Sequence, residues 1–175
     1  MTQHQQAALD LFTTGTAVVS DCGAYRYELS RVWGDPTRLA RFLMLNPSTA
    51  DAGADDPTIR RCVGYAKTWH LGGILVHNLF ALRATDPAEL AGHPDPTGPD
   101  NDQWLTAPAP AAVTVAAWGA HATLHGRDRH VRALLADAGV ELHHLGDRTR
   151  DGHPRHPLYL PTTAQLHPFP PDAAT

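Results

Sequence analysis

The chain has 175 residues, 42% of them hydrophobic, the length and composition of a single domain with its own core. Fourteen basic against eighteen acidic residues leave a net charge of −4, which argues against strong sequence-independent nucleic-acid binding, because that needs a basic surface to displace counterions. No apolar run of about 18 residues offers a membrane span, and Cys22 and Cys62, the two cysteines, cannot hold a four-cysteine iron–sulfur cluster or an all-cysteine zinc site.

The opening residues, MTQHQQAALDLF, lack the basic start and apolar stretch of a signal peptide, so a cytoplasmic protein is expected. Up to about residue 15 they read as a short helix or frayed tail. The alternation from Ala24 to Trp33 predicts a half-exposed strand, closed by Gly34-Asp35-Pro36. Together with what precedes it, it forms an antiparallel edge segment over about 16–33. Leu39–Leu45 is a buried strand feeding Asn46-Pro47. Asp56 is placed to cap a helix with Pro57 at its first position. Ile59, Cys62, Val63 and Ala66 then mark its apolar face, and Gly72-Gly73 is expected to end it. Ile74–Phe80 is a second buried strand. Five prolines over 94–110 leave room for at most one short helix. Ala112–Trp118 is a third apolar strand. Val131, Leu134, Leu135 and Ala138 define another helix, stopped by Gly139, before a fourth strand over Val140–Leu145. Prolines then crowd a loop-like tail.

Apolar strands alternating with amphipathic helices predict a three-layer α/β/α sandwich with a mainly parallel central sheet of about four strands. The whole chain, 1–175, forms one domain, with 1–15 and 161–175 as loosely ordered tails. Ligands of such sheets bind beyond the carboxyl ends of the strands. Four places follow: Asn46-Pro-Ser-Thr, His77-Asn78-Leu-Phe, Trp118-Gly119-Ala-His121 and the loop 146–159.

In the first, Asn46 can orient water or substrate through its donor and acceptor, although Asn-Pro and Ser-Thr are also turn chemistry. Ser48 as a nucleophile would need a nearby base, and there is no Gly-x-Ser-x-Gly elbow. Asn78 ends an apolar run. Its amide either ties down neighbouring backbone or reads a ligand's hydrogen-bonding edge. Arg83, before Thr85-Asp86-Pro87, fits either a helix start or an anion site. His153 and His156 sit on a proline-fixed loop close to His143, His144, Asp147 and Asp151, so a metal site is weighed against a rigid imidazole acting as donor or acid. No Gly-rich phosphate motif is present.

Leu45-Asn-Pro-Ser-Thr-Ala-Asp51, Asp55-Asp-Pro-Thr-Ile-Arg-Arg61, Asn78-Leu-Phe-Ala-Leu-Arg-Ala-Thr-Asp-Pro87, Gly98-Pro-Asp-Asn-Asp102 and His156-Pro-Leu-Tyr-Leu160, with an Arg-Tyr near the start, resemble the marks of an uncharacterised bacterial family known as a domain of unknown function. More distantly, the order of sites resembles the uracil-DNA glycosylase superfamily. In that superfamily a strand ends in a motif whose amide or carboxylate holds the attacking water, matched by Asn46-Pro47. A second ends in an Asn that reads the uracil edge, often with an Arg shortly after, matched by Asn78 and Arg83. A third runs into Trp-Gly-x-x-Ala, matched by Trp118–Ala122, and a His-Pro after the fourth stabilises the departing base, matched by His156-Pro157.

The resemblance implies a hydrolase of N-glycosidic bonds in DNA, of the kind used in base excision and DNA repair. Asn46 and His156 would be catalytic. Pro47, Ser48, Asn78, Phe80, Arg83 and Tyr159 would bind substrate, with Tyr65 or Phe80 as the base-stacking ring. No metal, organic cofactor or iron–sulfur cluster is implied. DNA would meet a local basic patch drawn from Arg60, Arg61, Arg127, Arg129, Arg148, Arg150 and Arg155. Two departures stand out: Leu45 and Ser48 replace the glycines flanking the first motif, and Leu158-Tyr159 replace the Ser-Pro of the last. The alternatives are a non-catalytic nucleotide or nucleic-acid binding module of the same fold, and a histidine-rich metal-dependent hydrolase.

Overall fold

The computed structural model describes residues 14–48, 55–86 and 88–170. The expectation for the first thirteen residues, and Thr49, Ala50 and Asp51 of the first loop, lie outside that range. Strands β1 (Thr14–Val19), β2 (Arg26–Val32) and β3 (Leu39–Met44) are followed by helix α1 (Pro57–Thr68) and β4 (Gly73–Asn78). Two short helices, α2 (Ala88–Gly92) and α3 (Asn101–Thr106), lead to β5 (Ala111–Ala116), α4 (Arg127–Asp137), β6 (Leu142–Leu145) and β7 (Leu166–Pro168).

The strands form one seven-stranded sheet in the order β1-β2-β4-β3-β5-β6-β7. Its centre, β4-β3-β5-β6, is parallel throughout, as the four apolar runs predict. β1 and β2 flank it antiparallel on one side, and β7 on the other. The sheet is therefore larger than the four strands expected. Residues beyond 160, expected as a loose tail, supply β7 and the buried Phe169. A three-residue strand ending in proline carries little period of its own, and its pairing with β6 is long-range.

Side-chain alternation along β3 divides the core. Ala40, Phe42 and Met44 join Ile59, Cys62, Tyr65 and Ala66 of α1. Leu43 joins Leu90 of α2, Leu105 of α3, and Val131 and Leu135 of α4. Each large apolar side chain buried this way contributes roughly 1.5–3 kcal/mol. Among the described residues no helix is long and apolar enough to cross a membrane.

The start of α1 follows the sequence signal: the Asp56 carboxylate accepts from Ile59 N at 2.8 Å, and Pro57 opens the helix. Its end does not. The helix stops before Trp69, and His70 takes the left-handed turn at φ 56°. The glycines expected to stop it serve packing instead. A Cβ on Gly72 would stand 2.2 Å from Asp35 O, and Gly72 O accepts from both Trp33 N and Gly34 N.

Across β2, β4 and β3 runs a buried polar chain. Arg41 Nε donates to His77 Nδ1 at 3.2 Å, so the neutral ring carries its proton on Nε2, which lies 3.1 Å from Glu28 Oε2. Arg41 Nη2 donates to Leu105 O at 2.6 Å. Burial holds His77 below its ordinary pKa, and the His77 hydrogen bond holds Glu28 below its own. Both shifts have one sign: the unfolded chain binds the proton more readily, so the stability they supply is present above the unfolded values and lost on acidification. The unfolding temperature is expected to fall as pH drops through about 6.5 and to fall further through the carboxylate range. A thermal-unfolding series in pH checks this; a flat profile would mean that His77 and Glu28 take up their protons at the same pH in the folded and unfolded states.

Candidate functional site

All four strand-end loops converge on one cavity of about 550 Å³. From the end of β3 come Asn46 and Ser48, and from the last position of β4 comes Asn78. Trp118, Gly119 and His121 follow β5, while Thr149, Arg155, His156 and Tyr159 belong to the loop after β6. Arg26 of β2 and Asp56 with Thr58 at the start of α1 complete the wall.

Asn46 is anchored by its own amide. Nδ2 donates to Ala84 O at 2.7 Å and to Pro47 O at 3.0 Å, which ties the loop after β3 to the one after β4. With both N–H groups engaged, Oδ1 is what Asn46 offers a ligand or water. Ser48 Oγ approaches Asp56 Oδ2 at 3.4 Å, and Asp56 Oδ1 is spent on the helix cap.

Asn78 differs. Only 1% exposed, it has no hydrogen-bond partner among the described residues for either Nδ2 or Oδ1. The indole N–H of Trp118, 2% exposed, is equally unpartnered. Leaving a buried polar group unpaired costs roughly 1–3 kcal/mol. Two such residues thus line one cavity.

The backbone beneath Asn78 is held from the other face. Asn101 Nδ2 donates to Asn78 O and Leu79 O at 3.0 and 2.9 Å, and Arg127 Nε donates to Leu79 O at 2.7 Å. Asp102 receives Arg127 and His130. The Gly98–Asp102 string therefore organises the loop after β4. Gly98 has φ 86°, and a Cβ there would meet the Tyr25 ring at 2.9 Å.

His156 Nδ1 accepts from Leu158 N at 3.3 Å, which puts the proton of the neutral ring on Nε2. Burial lowers its pKa, opposed by the charge of Asp56, so the imidazole is neutral near pH 7 and remains a donor. Tyr159, 80% exposed, stands beside it with ring centroids 5.6 Å apart. Trp118 leans on Phe169 at 6.0 Å, so the residue after β7 braces the cavity wall.

Of the eight residues given a catalytic or substrate-binding role from sequence, five meet here: Asn46, Ser48, Asn78, His156 and Tyr159. Three others lie elsewhere. Pro47 is buried, Phe80 is fully enclosed in the core beside Leu79 and Leu90, and exposed Arg83 donates to Gly23 O. Tyr65 is also a core ring, stacked on Trp69. The aromatic rings that do line the cavity are Trp118 and Tyr159. Arg127, expected in a basic surface patch, is 5% exposed and tied to Leu79 and Asp102.

Arg26, Asp56 and Thr58 were not foreseen as site residues. Thr149 lies in the loop 146–159 that the strand-end rule named, whereas Arg26 comes from an antiparallel flanking strand that the rule does not cover. The histidines of 143–156 are dispersed: His144 packs on His167 and Phe169, and only His156 lines the cavity. Among the described residues no group of three His, Cys, Asp or Glu is placed to hold a metal ion.

Fold and site together define an α/β protein with a cavity of mixed apolar and polar lining beyond the carboxyl ends of its parallel strands. A family model described as a protein of unknown function (DUF1643) matches residues 26–158, and the chain belongs to that family. No curated protein and no solved structure matches it.

Proposed function

We propose that the cavity binds a nucleobase and that the protein hydrolyses the N-glycosidic bond of a base in DNA, as a cytoplasmic base-excision hydrolase built on a three-layer α/β/α sandwich of the uracil-DNA glycosylase type. The observation that carries the reading is the unpartnered Asn78 amide. A donor and an acceptor side by side complement the amide-like edge of a pyrimidine, and a buried pair without partners is explained when a ligand supplies them. The Trp118 N–H adds a second donor.

Breaking the C1′–N bond sends its electron pair onto the base, while a water oxygen bonds to C1′ and the water's proton passes to solvent or base. Asn46 Oδ1 would accept a hydrogen bond from that water. As an amide it orients the water without deprotonating it, so catalysis is modest. The His156 Nε2–H would donate to a base carbonyl oxygen as its charge grows. Arg155 at the rim and buried Arg26 favour an anionic substrate.

The test is alkaline strand cleavage of single- and double-stranded oligonucleotides carrying uracil or other altered bases. Abasic sites formed by wild type, and lost in His156→Ala and Asn46→Ala at unchanged affinity, are expected. Because the working imidazole is neutral, the rate stays level as pH falls through about 6.5; a rate that rises on acidification would assign the donor to the imidazolium instead. Affinity without abasic sites would make the protein a binding module of the same pocket.

A further inference from the structure

We propose that a groove beside the cavity, between α1 and the turn at Pro157–Tyr159, is the track along which single-stranded nucleic acid leaves the cavity; this rests on the base-binding reading, since an extruded base carries flanking phosphodiesters. The groove, about 470 Å³, is lined by Arg60, Arg61, Gly64 and Thr68 on the helix and by Leu158 and Thr162 on the other bank. It joins the cavity through one turn, because Leu158 lies in the groove while His156 and Tyr159 line the cavity. The Tyr65 hydroxyl donates to Pro161 O at 2.7 Å and fixes the two banks together.

Two features identify the occupant. Arg60 and Arg61 are consecutive on α1 and both line the groove; Arg60 Nη1 donates to the Asp55 carbonyl, and neither residue forms a salt bridge with an acidic side chain among the described residues. In a chain of net charge −4 such a pair suits the regularly spaced anions of a phosphodiester backbone. The second feature is Gly64. Arg60, Gly64 and Thr68 follow at four-residue spacing on one helix face. Glycine is among the least favourable residues inside a helix, yet a Cβ at Gly64 would meet nothing within 4 Å. Packing within the described fold does not require it. A chain lying close against the helix does. The exposed ring of Tyr159, next to Leu158 in the chain and part of the cavity lining, offers a stacking surface for an unpaired base.

Fluorescence anisotropy of a labelled single-stranded oligonucleotide carrying one deoxyuridine tests this. The Arg60→Ala/Arg61→Ala double variant is expected to weaken binding about ten-fold or more and to flatten the plot of log affinity against log salt by roughly 1.4, the share of two phosphates on a single strand. Gly64→Leu leaves the charges alone and favours the helix; it is expected to weaken binding without lowering the unfolding temperature. Neither change should alter calorimetric binding of free deoxyuridine, which Asn78→Leu removes. If wild type does not bind the oligonucleotide, if the groove variants bind it normally, or if duplex binds as tightly with the same arginine dependence, the track is overturned. The Asn78 arm decides the base reading separately: failure of the groove with deoxyuridine binding intact leaves that reading standing.

Discussion

An Asn78→Leu protein is expected to be more stable than wild type and inactive. Leucine keeps the branched four-atom skeleton of asparagine, and it replaces an amide whose donor and acceptor are both buried without partners among the described residues. Removing that penalty should raise the unfolding free energy by about 1–3 kcal/mol, or roughly 2–4 °C in unfolding temperature for each kcal/mol in a chain of this size. The same change removes the two hydrogen bonds the amide would make to a base, and a site built to read polar edges loses at least about a hundred-fold when they go unpaired. The main-chain anchor through Asn101 is untouched, because it holds the carbonyl of residue 78 and not its side chain. Thermal unfolding beside the abasic-site assay checks both halves. A variant that is destabilised and fully active would make Asn78 a packing residue.

Glu28→Leu is expected to cost about 3 kcal/mol, because it strands a buried cation. Arg41 is 2% exposed; desolvation pushes its pKa down to about 10, with Glu28 opposing that fall. Without the carboxylate the guanidinium keeps its bonds to His77 and the α3 carbonyls but loses its counter-charge. Replacing the whole chain of groups, Glu28→Leu with His77→Phe and Arg41→Met, should recover most of the loss, since an apolar set of similar volume needs no compensation. Denaturant unfolding of the single and triple variants measures the difference. Equal losses would show that shape rather than charge dominates there.

Much of this architecture is readable from local signals. The runs 39–45 and 74–80 are apolar on both faces, as central parallel strands must be, and Asp56-Pro57 announces a helix start that the cap hydrogen bond bears out. What escapes local reading depends on partners far away in the chain. Arg41 sits inside an apolar run, and nothing near it in sequence reveals that His77 and Glu28 face it across two neighbouring strands. β7 is three residues long, and its pairing with β6 is invisible to periodicity. At the site, the strand-end rule located the four loops but not the direction each side chain takes within them. Phe80 and Arg83 follow Asn78 closely, yet one turns into the core and the other to solvent. Arg26 reaches the cavity only because β2 lies next to β4 in the sheet.

That neighbour relation also shapes how the chain can assemble as it is made. β2 and β3 follow one another in sequence, but β4 lies between them in the sheet. A nascent chain that has released β1, β2 and β3 can close only the β1–β2 hairpin. The inner edge of β2 and the facing edge of β3 both wait for Gly73–Asn78, which must emerge and slide between two strands already in place. Until then these two backbone edges, together with the edge of β3 that later receives β5, are open to the wrong partner, including another nascent copy. The same insertion that delivers Asn78 to the cavity therefore makes the middle third of the chain the step on which productive synthesis turns.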